Sequence, residues 1–92
     1  MKLVWFAQAA TDLQHAEDFI ALDDPTAATK VSRHLRCAVA HLQIFPDAGR
    51  LGNIPGTREV VIGVYPYLVR YRIKGEQVQI LRVFHTSRQW QP

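Results

Sequence analysis

The sequence predicts an α+β protein of two layers, with the element order β-α-α-β-β-β. Three observations support this prediction. A short β-rich run comes first, two segments with apolar residues at helical spacing follow, and three β-forming runs fill residues 58–85. A helical hairpin packed on one face of a small antiparallel sheet is the simplest arrangement that buries both kinds of apolar face.

The first strand and the first helix are predicted from a change of pattern near residue 7. Residues 2–6 are β-rich, whereas apolar residues from 8 to 22 recur every three or four positions. Asp23-Asp24-Pro25 ends this helix, because a residue before proline avoids helical backbone angles. The predicted buried stripe of the helix is Ala9, Leu13, Ala16 and Ile20.

A second helix is predicted from Pro25–Thr26 onward, since proline is tolerated in the first helical turn. We expect Pro46 to end it. The short turn between the two helices predicts that they lie antiparallel as a hairpin. The predicted buried stripe of the second helix is Val31, Leu35, Ala38, Val39, Leu42 and Phe45.

Glycine and proline separate the remaining elements. Residues 47–57 hold three glycines and a proline, which predicts an irregular loop. Strands are predicted over residues 58–64, 67–74 and 77–85, and Gly75-Glu76 forms a tight hairpin turn between the last two.

Alternation along these strands predicts which side chains share a face. In the middle strand one face holds Tyr67, Val69, Tyr71 and Ile73, and the other holds Leu68, Arg70, Arg72 and Lys74. In the last strand strict alternation groups Val78 and Ile80 with Arg82 and Phe84, and Leu81 and Val83 with His85. Because this strand is apolar on both sides, we expect it to be central in the sheet.

The composition predicts a single domain spanning residues 1–92, with one core. Cys37 is the single cysteine, so no internal disulfide is expected and a reducing compartment is favoured. No apolar run reaches the roughly 20 residues of a membrane span, and the N-terminus does not resemble a signal peptide. We therefore expect a cytoplasmic protein.

The formal net charge of +3 is unevenly distributed. Residues 1–46 hold four Lys/Arg against five Asp/Glu, whereas residues 47–92 hold seven against three. Six of those seven are arginine, a side chain suited to bidentate contact with phosphate or carboxylate. The second half thus predicts a cationic surface on the side of the sheet opposite the helices, for nucleic acid or an acidic protein partner.

Five stretches along the whole chain resemble the ParE/RelE superfamily of type II toxin–antitoxin toxins. They are AQAATDLQHAEDFI, IFPDAGR, GTREVVI, YPYLVRYRI and VQILRVFHTSRQW, in this order. The resemblance implies a compact cytosolic toxin neutralised by a small antitoxin that wraps it. RelE-like members cut mRNA on the ribosome, and ParE-like members poison DNA gyrase.

The RelE-like alternative implies a ribosome-dependent endonuclease. Such members place an arginine in the second meander strand where this chain has Leu68, with Arg70 two residues further on the same face. Arg70 would stabilise charge on the phosphate, His85 would act as acid or base, and Arg88 would complete the set. The tyrosine that often ends the active set has no clear equivalent. The alternative structural role for His85 is local hydrogen bonding at a strand end.

The ParE-like interpretation fits the chain better than the RelE-like one, and it implies contact with a protein rather than catalysis. Arginine and tryptophan are enriched where interfaces concentrate binding energy. We therefore predict that the surface for the gyrase target or the antitoxin includes Arg58, Arg70, Arg72, Arg82, Arg88 and Trp90. The alternatives are that Arg70, Arg72 and Lys74 are only a solvated sheet face, or that the chain binds an antitoxin without being toxic.

No cofactor or metal is expected. His34, Cys37 and His41 share a flank of the second helix, but no fourth ligand lies at helical spacing. The glycines of residues 47–57 do not follow a phosphate-binding strand-loop-helix pattern, and no nucleophilic triad has a supporting motif.

Overall fold

The computed structural model describes residues 1–62 and 65–86. The predicted element order is confirmed, with one additional short strand. The elements are β1 (Lys2–Trp5), α1 (Ala7–Ala21), α2 (Pro25–His41), β2 (Arg50–Leu51), β3 (Arg58–Ile62), β4 (Tyr67–Lys74) and β5 (Gln77–His85). The prediction of an irregular loop over residues 47–57 missed β2, because two residues are too few to show a strand pattern.

The strands form one sheet in the order β1-β5-β4-β3-β2. The antiparallel meander of β3, β4 and β5 is confirmed, and so is the central position of β5. β1 pairs with β5 in parallel, so the sheet is mixed and not purely antiparallel as predicted. The helical hairpin is the long connection from β1, at one edge of the sheet, to β2 at the other edge.

The helices begin where their sequences indicate. Asp24 caps α2 by accepting a hydrogen bond from the Ala27 N–H at 3.1 Å, and Pro25 occupies the first turn. However, α2 ends at His41, and the prediction that it continues to Pro46 is wrong. Residues 42–44 form turns instead, so helical periodicity no longer sets the side-chain directions. Phe45, predicted as buried, is 63% exposed for this reason.

The core lies between the helical hairpin and one face of the sheet. Leu13 of α1 and Leu35 and Val39 of α2 are almost completely buried against it. The sheet contributes Ile62, Tyr67, Val69, Tyr71, Val78, Ile80 and Val83. This arrangement confirms the two-layer α+β architecture and the predicted inward face of β4, although Ile73 at its end is 36% exposed.

A β-bulge changes the alternation of β5. Arg70 pairs with Arg82, but Tyr71 pairs with Ile80, so Leu81 is an extra residue between them. Ile80 therefore faces the core, while Arg82 and Phe84 face away from it. The prediction that Val78 and Ile80 share a face with Arg82 and Phe84 is wrong, because it assumed strict alternation through this point.

Among the helices of the two described ranges, none is both long and apolar enough to cross a membrane.

Candidate functional site

The sheet face turned away from the helices, called here the open face, carries most of the predicted site. It is formed by the residues that alternate with the core residues along β3, β4 and β5. Directly opposed residues of antiparallel strands lie side by side on one face. Across the open face the pairing gives the rows Val61–Leu68–Phe84, Glu59–Arg70–Arg82 and Arg72–Gln79.

A groove of about 490 Å³ runs along this face and is called here the arginine groove. One wall is the loop before β3, in which the Thr57 hydroxyl donates to the Ile54 carbonyl at 2.6 Å. The groove is lined by Ile54, Pro55, Gly56, Thr57, Arg70, Arg72, Leu81 and Arg82. Three of the six predicted contact residues thus share one surface, as predicted.

Arg70 is held by a carboxylate of the neighbouring strand. Its Nη2 lies 3.4 Å from Oε2 of Glu59, and only 14% of its side chain is exposed. Arg50 approaches the same carboxylate from β2 at 3.5 Å. The Arg70 guanidinium also lies 4.8 Å from the ring centroid of Phe84, close enough for a cation–π contact.

Arg82 is held by a carboxylate of α1. Its Nε and Nη2 donate to the two carboxylate oxygens of Asp12 at 2.7 and 3.3 Å, and the Val83 N–H donates to the same group at 3.0 Å. Burial raises the pKa of Asp12. The hydrogen bonds from Arg82, Val83 and Gln8, with the Arg82 charge, outweigh burial and hold the pKa below its ordinary value of 3.8.

Arg72 is held by a neutral partner instead. Its Nε donates to Oε1 of Gln79 at 2.6 Å, and its guanidinium lies 5.6 Å from the ring centroid of Phe6. Nε2 of Gln79 in turn donates to Oε1 of Gln77 at 2.8 Å. Of the three arginines of the groove, Arg72 therefore has no carboxylate partner within the part of the chain that the structure describes.

Arg58 lies on the other face of the sheet, because it pairs with Tyr71, a core residue. Its guanidinium donates to the Gly49 carbonyl at 2.8 Å and lies 3.6 Å from the Asp47 carboxylate. Arg58 thus ties down the loop after α2 and is not part of the arginine groove. The prediction that Arg58 belongs to the shared cationic face is therefore wrong.

The candidate nuclease residues do not converge within the described part of the chain. His85 pairs with Tyr67 on the core side, with the two rings in edge contact at 5.2 Å, whereas Arg70 faces the open side. Arg88 and Trp90 lie outside the described residues.

The predicted gathering of Arg70, Arg72 and Arg82 on the face opposite the helices is confirmed, but the positive charge of that face is partly compensated. Two of the three arginines in the groove pair with carboxylates, Arg70 with Glu59 and Arg82 with Asp12. The physical reason is burial: a largely buried guanidinium is costly unless a counter-charge lies beside it. The solvated-face alternative does not describe Arg70 either, since its side chain is mostly covered.

The sequence reasoning missed both carboxylates. Glu59 directly precedes the apolar residues of β3 and alternates onto the open face, which was a signal that an open-face cation had a partner there. Asp12 gave no comparable signal, because it lies 70 residues from Arg82 on a helix with several acidic residues. Within residues 1–62 and 65–86, no cluster of three or more His, Cys, Asp or Glu side chains could hold a metal ion.

Comparison with known proteins places the whole chain in one family. The family described as the ParE toxin of the type II toxin–antitoxin system parDE matches residues 3–90. The protein Y4kP of Sinorhizobium fredii is 38% identical over 97% of this chain and 92% of its own length. Toxin RelE2 of Caulobacter vibrioides is 34% identical over 95% of this chain and 97% of its own.

A solved structure gives the same assignment. A chain of the chromosomal ParDE TA system from P. aeruginosa superposes with a TM-score of 0.85 at 32% identity, covering 95% of this chain and 97% of that one. The fold, the length and the family match agree, and so the chain belongs to the ParE toxin family of type II toxin–antitoxin systems.

Proposed function

We propose that this protein is a toxin that arrests growth by inhibiting DNA gyrase through protein contact. The observation that carries the proposal is the arginine groove, in which guanidinium groups lie against the rings of Phe84 and Phe6. Arginine and aromatic side chains held in this way are typical of surfaces that concentrate protein binding energy.

Within the described residues, the groove does not bring together the candidate phosphate-binding and acid–base groups of a nuclease. Arg70 is engaged by Glu59, and His85 lies on the opposite face of the sheet. A general acid or base must come within hydrogen-bond reach of the atoms that react, directly or through one water. A contact surface needs no such convergence.

Arg72 offers the sharpest test, because its removal leaves no buried carboxylate unpaired. We expect Arg72→Ala to weaken inhibition of gyrase supercoiling by about tenfold or more, a loss typical of a truncated interface arginine. The measurement is the concentration of purified toxin that halves supercoiling of relaxed plasmid. Arg33→Ala, on the exposed side of α2, removes the same charge and is the matched control.

Failure of the wild-type protein to inhibit gyrase at any concentration would contradict the proposal. Equal inhibition by Arg72→Ala and the wild type, with both proteins folded, would remove the groove from the gyrase contact.

A RelE-like, ribosome-dependent mRNA endonuclease is the second candidate, supported by the 34% identity to toxin RelE2. Induction in cells separates the two functions. Gyrase inhibition predicts a DNA damage response with intact messages, whereas the nuclease predicts cleavage of messages during translation without DNA damage.

A cognate antitoxin is the proposed second partner, and the complex is a hetero-oligomer. The similarity to a chain of a ParDE TA system supports this partner. Val61 and Ile54 add exposed apolar side chains at or beside the groove that an acidic, partly disordered chain could cover on folding. Co-expression with the neighbouring gene product should restore growth and yield a stable complex.

We place the protein in the cytoplasm, where gyrase acts, and cell fractionation tests that location.

A further inference from the structure

Glu59 lies on the open face, in the same cross-strand row as Arg70 and Arg82. It is 8% exposed, and its carboxylate lies between Arg50 at 3.5 Å and Arg70 at 3.4 Å. A buried carboxylate is costly unless cations and hydrogen bonds compensate it. Glu59 is therefore compensated by two arginines, of which Arg70 is the more buried.

This pairing restricts what Arg70 can bind. Nη2 faces Glu59, the ring of Phe84 covers the guanidinium, and Nε is buried with no hydrogen-bond partner among residues 1–62 and 65–86. The bidentate fork that recognises a phosphate uses two parallel N–H groups of one guanidinium. Arg70 could present its Nε–Nη2 fork only by leaving Glu59, and the buried carboxylate would then keep only the exposed Arg50 as a counter-charge.

Arg82 is committed in the same way, because two of its nitrogens already bind Asp12. Of the three positive charges that line the groove, two are thus matched internally. Affinity for nucleic acid depends on the number of phosphates that a protein neutralises, whereas protein interfaces accommodate matched pairs. The groove keeps the shape and stacking surface of its arginines, while carboxylates face two of its three guanidinium groups.

We infer that Glu59 is a specificity-determining residue, whose buried carboxylate holds Arg70 internally so that the arginine groove rejects a phosphate backbone and remains available to a protein. The inference rests on the proposed function in treating the groove as a protein-contact surface. Its test uses purified protein and oligonucleotide alone. The inference can therefore fail while gyrase inhibition is observed, and gyrase inhibition can fail while the inference holds.

The test is binding of a fluorescein-labelled single-stranded 20-mer, as RNA and as DNA, followed by anisotropy at low salt. We expect Glu59→Gln to bind both about tenfold more tightly than the wild type, with a salt dependence steeper by about 0.7 in log K against log salt, which is one further neutralised phosphate. Glu76→Gln changes the net charge equally on the exposed hairpin turn and is the matched control, with less than a twofold change expected.

The double variant Glu59→Gln/Arg70→Gln assigns the effect to Arg70. It should return to wild-type affinity, because the released guanidinium is then absent. Tighter binding in the double variant, or equal gains in Glu59→Gln and Glu76→Gln, would overturn the inference. So would wild-type protein that binds the 20-mer as tightly as Glu59→Gln does.

Thermal unfolding checks that Glu59→Gln is folded, and a second variant applies if it is not. Val61 is 48% exposed on the open face beside this row, so Val61→Arg adds an arginine without disturbing a buried pair. We expect a gain of about fivefold or more over Ala10→Arg, which adds the same charge on exposed α1 surface. No difference between these two variants would mean that shape, not internal charge pairing, excludes the polyanion.

Discussion

The Tyr71 side chain is completely buried in the core, yet its hydroxyl has two partners in the loop after α2. It donates to the Pro46 carbonyl at 2.7 Å and accepts from the Gly49 N–H at 2.9 Å. Burial raises the pKa of Tyr71, more than the Gly49 hydrogen bond lowers it, so the hydroxyl keeps the proton that it donates. A Cβ at Gly49 would lie 2.7 Å from this hydroxyl, so glycine is required there by space.

Tyr71→Phe is expected to lower the free energy of unfolding by about 1–3 kcal/mol, because the Gly49 N–H and the Pro46 carbonyl lose a buried partner. Urea denaturation measures the change. Tyr65→Phe, at a half-buried tyrosine beside His34, is the control and should cost less than about 0.5 kcal/mol. Equal stability of Tyr71→Phe and wild type would show that water replaces the lost hydroxyl.

At the scale of elements, the contact between α1 and β5 compensates for the shortness of β1. β1 ends opposite Ile80, so no strand of the described residues lies beside β5 on that side beyond the bulge. The carboxylate of Asp12 takes the place of a strand there, accepting from the Val83 N–H and from Arg82. The Asp12 side chain therefore accepts a hydrogen bond from a backbone N–H at the sheet edge and also holds an arginine of the groove in place.

Asp12→Asn should lower the free energy of unfolding at pH 7 by about 1–3 kcal/mol, since hydrogen bonds to a charged group are lost. The folded-state pKa of Asp12 is below 3.8, so its contribution is present above that pH and lost as the pH falls through the folded-state value. Denaturation at several pH values should thus show the difference from wild type shrinking only in acid.

Asp18→Asn serves as the control for this series. Asp18 is exposed on the same helix and accepts from Gln14 at 2.9 Å, so its replacement should change the stability by less than about 0.5 kcal/mol. A difference between Asp12→Asn and wild type that stays constant from neutral to acid pH would contradict the role of the charged carboxylate.

At the scale of the whole molecule, one core joins the helical hairpin to the sheet. Leu35 and Val39 of α2 and Val69 and Tyr71 of β4 belong to the same buried cluster. Neither layer buries its apolar face without the other, so the two layers are expected to unfold together.

Unfolding should therefore be a single cooperative transition for residues 1–92. In a Trp90→Phe variant, fluorescence reports Trp5 of β1 alone, while far-ultraviolet circular dichroism follows mainly the helices. We expect both signals to share one urea midpoint, with a slope of about 1 kcal/mol/M as for other small domains. Separate midpoints would mean that the hairpin and the sheet are independent units.

The sequence by itself determined the local structure. The order of the predicted elements, the inward faces of α1 and β4, and the hairpin at Gly75 follow from periodicity and turn chemistry, which act over a few neighbouring residues. The superfamily resemblance, carried by five stretches in order, was confirmed by the family match over residues 3–90. The end of α2 was missed because the apolar spacing continued to Phe45 after the helix had stopped.

Only the tertiary structure decided what the arginines do. A bulge at Leu81 set the face of Arg82, pairing with Tyr71 placed Arg58 on the core side, and Glu59 and Asp12 neutralised two of the groove's three charges. Ion pairs depend on distances of a few ångströms between side chains that can be 70 residues apart. Charge counted along a chain therefore cannot give the charge that a folded surface presents.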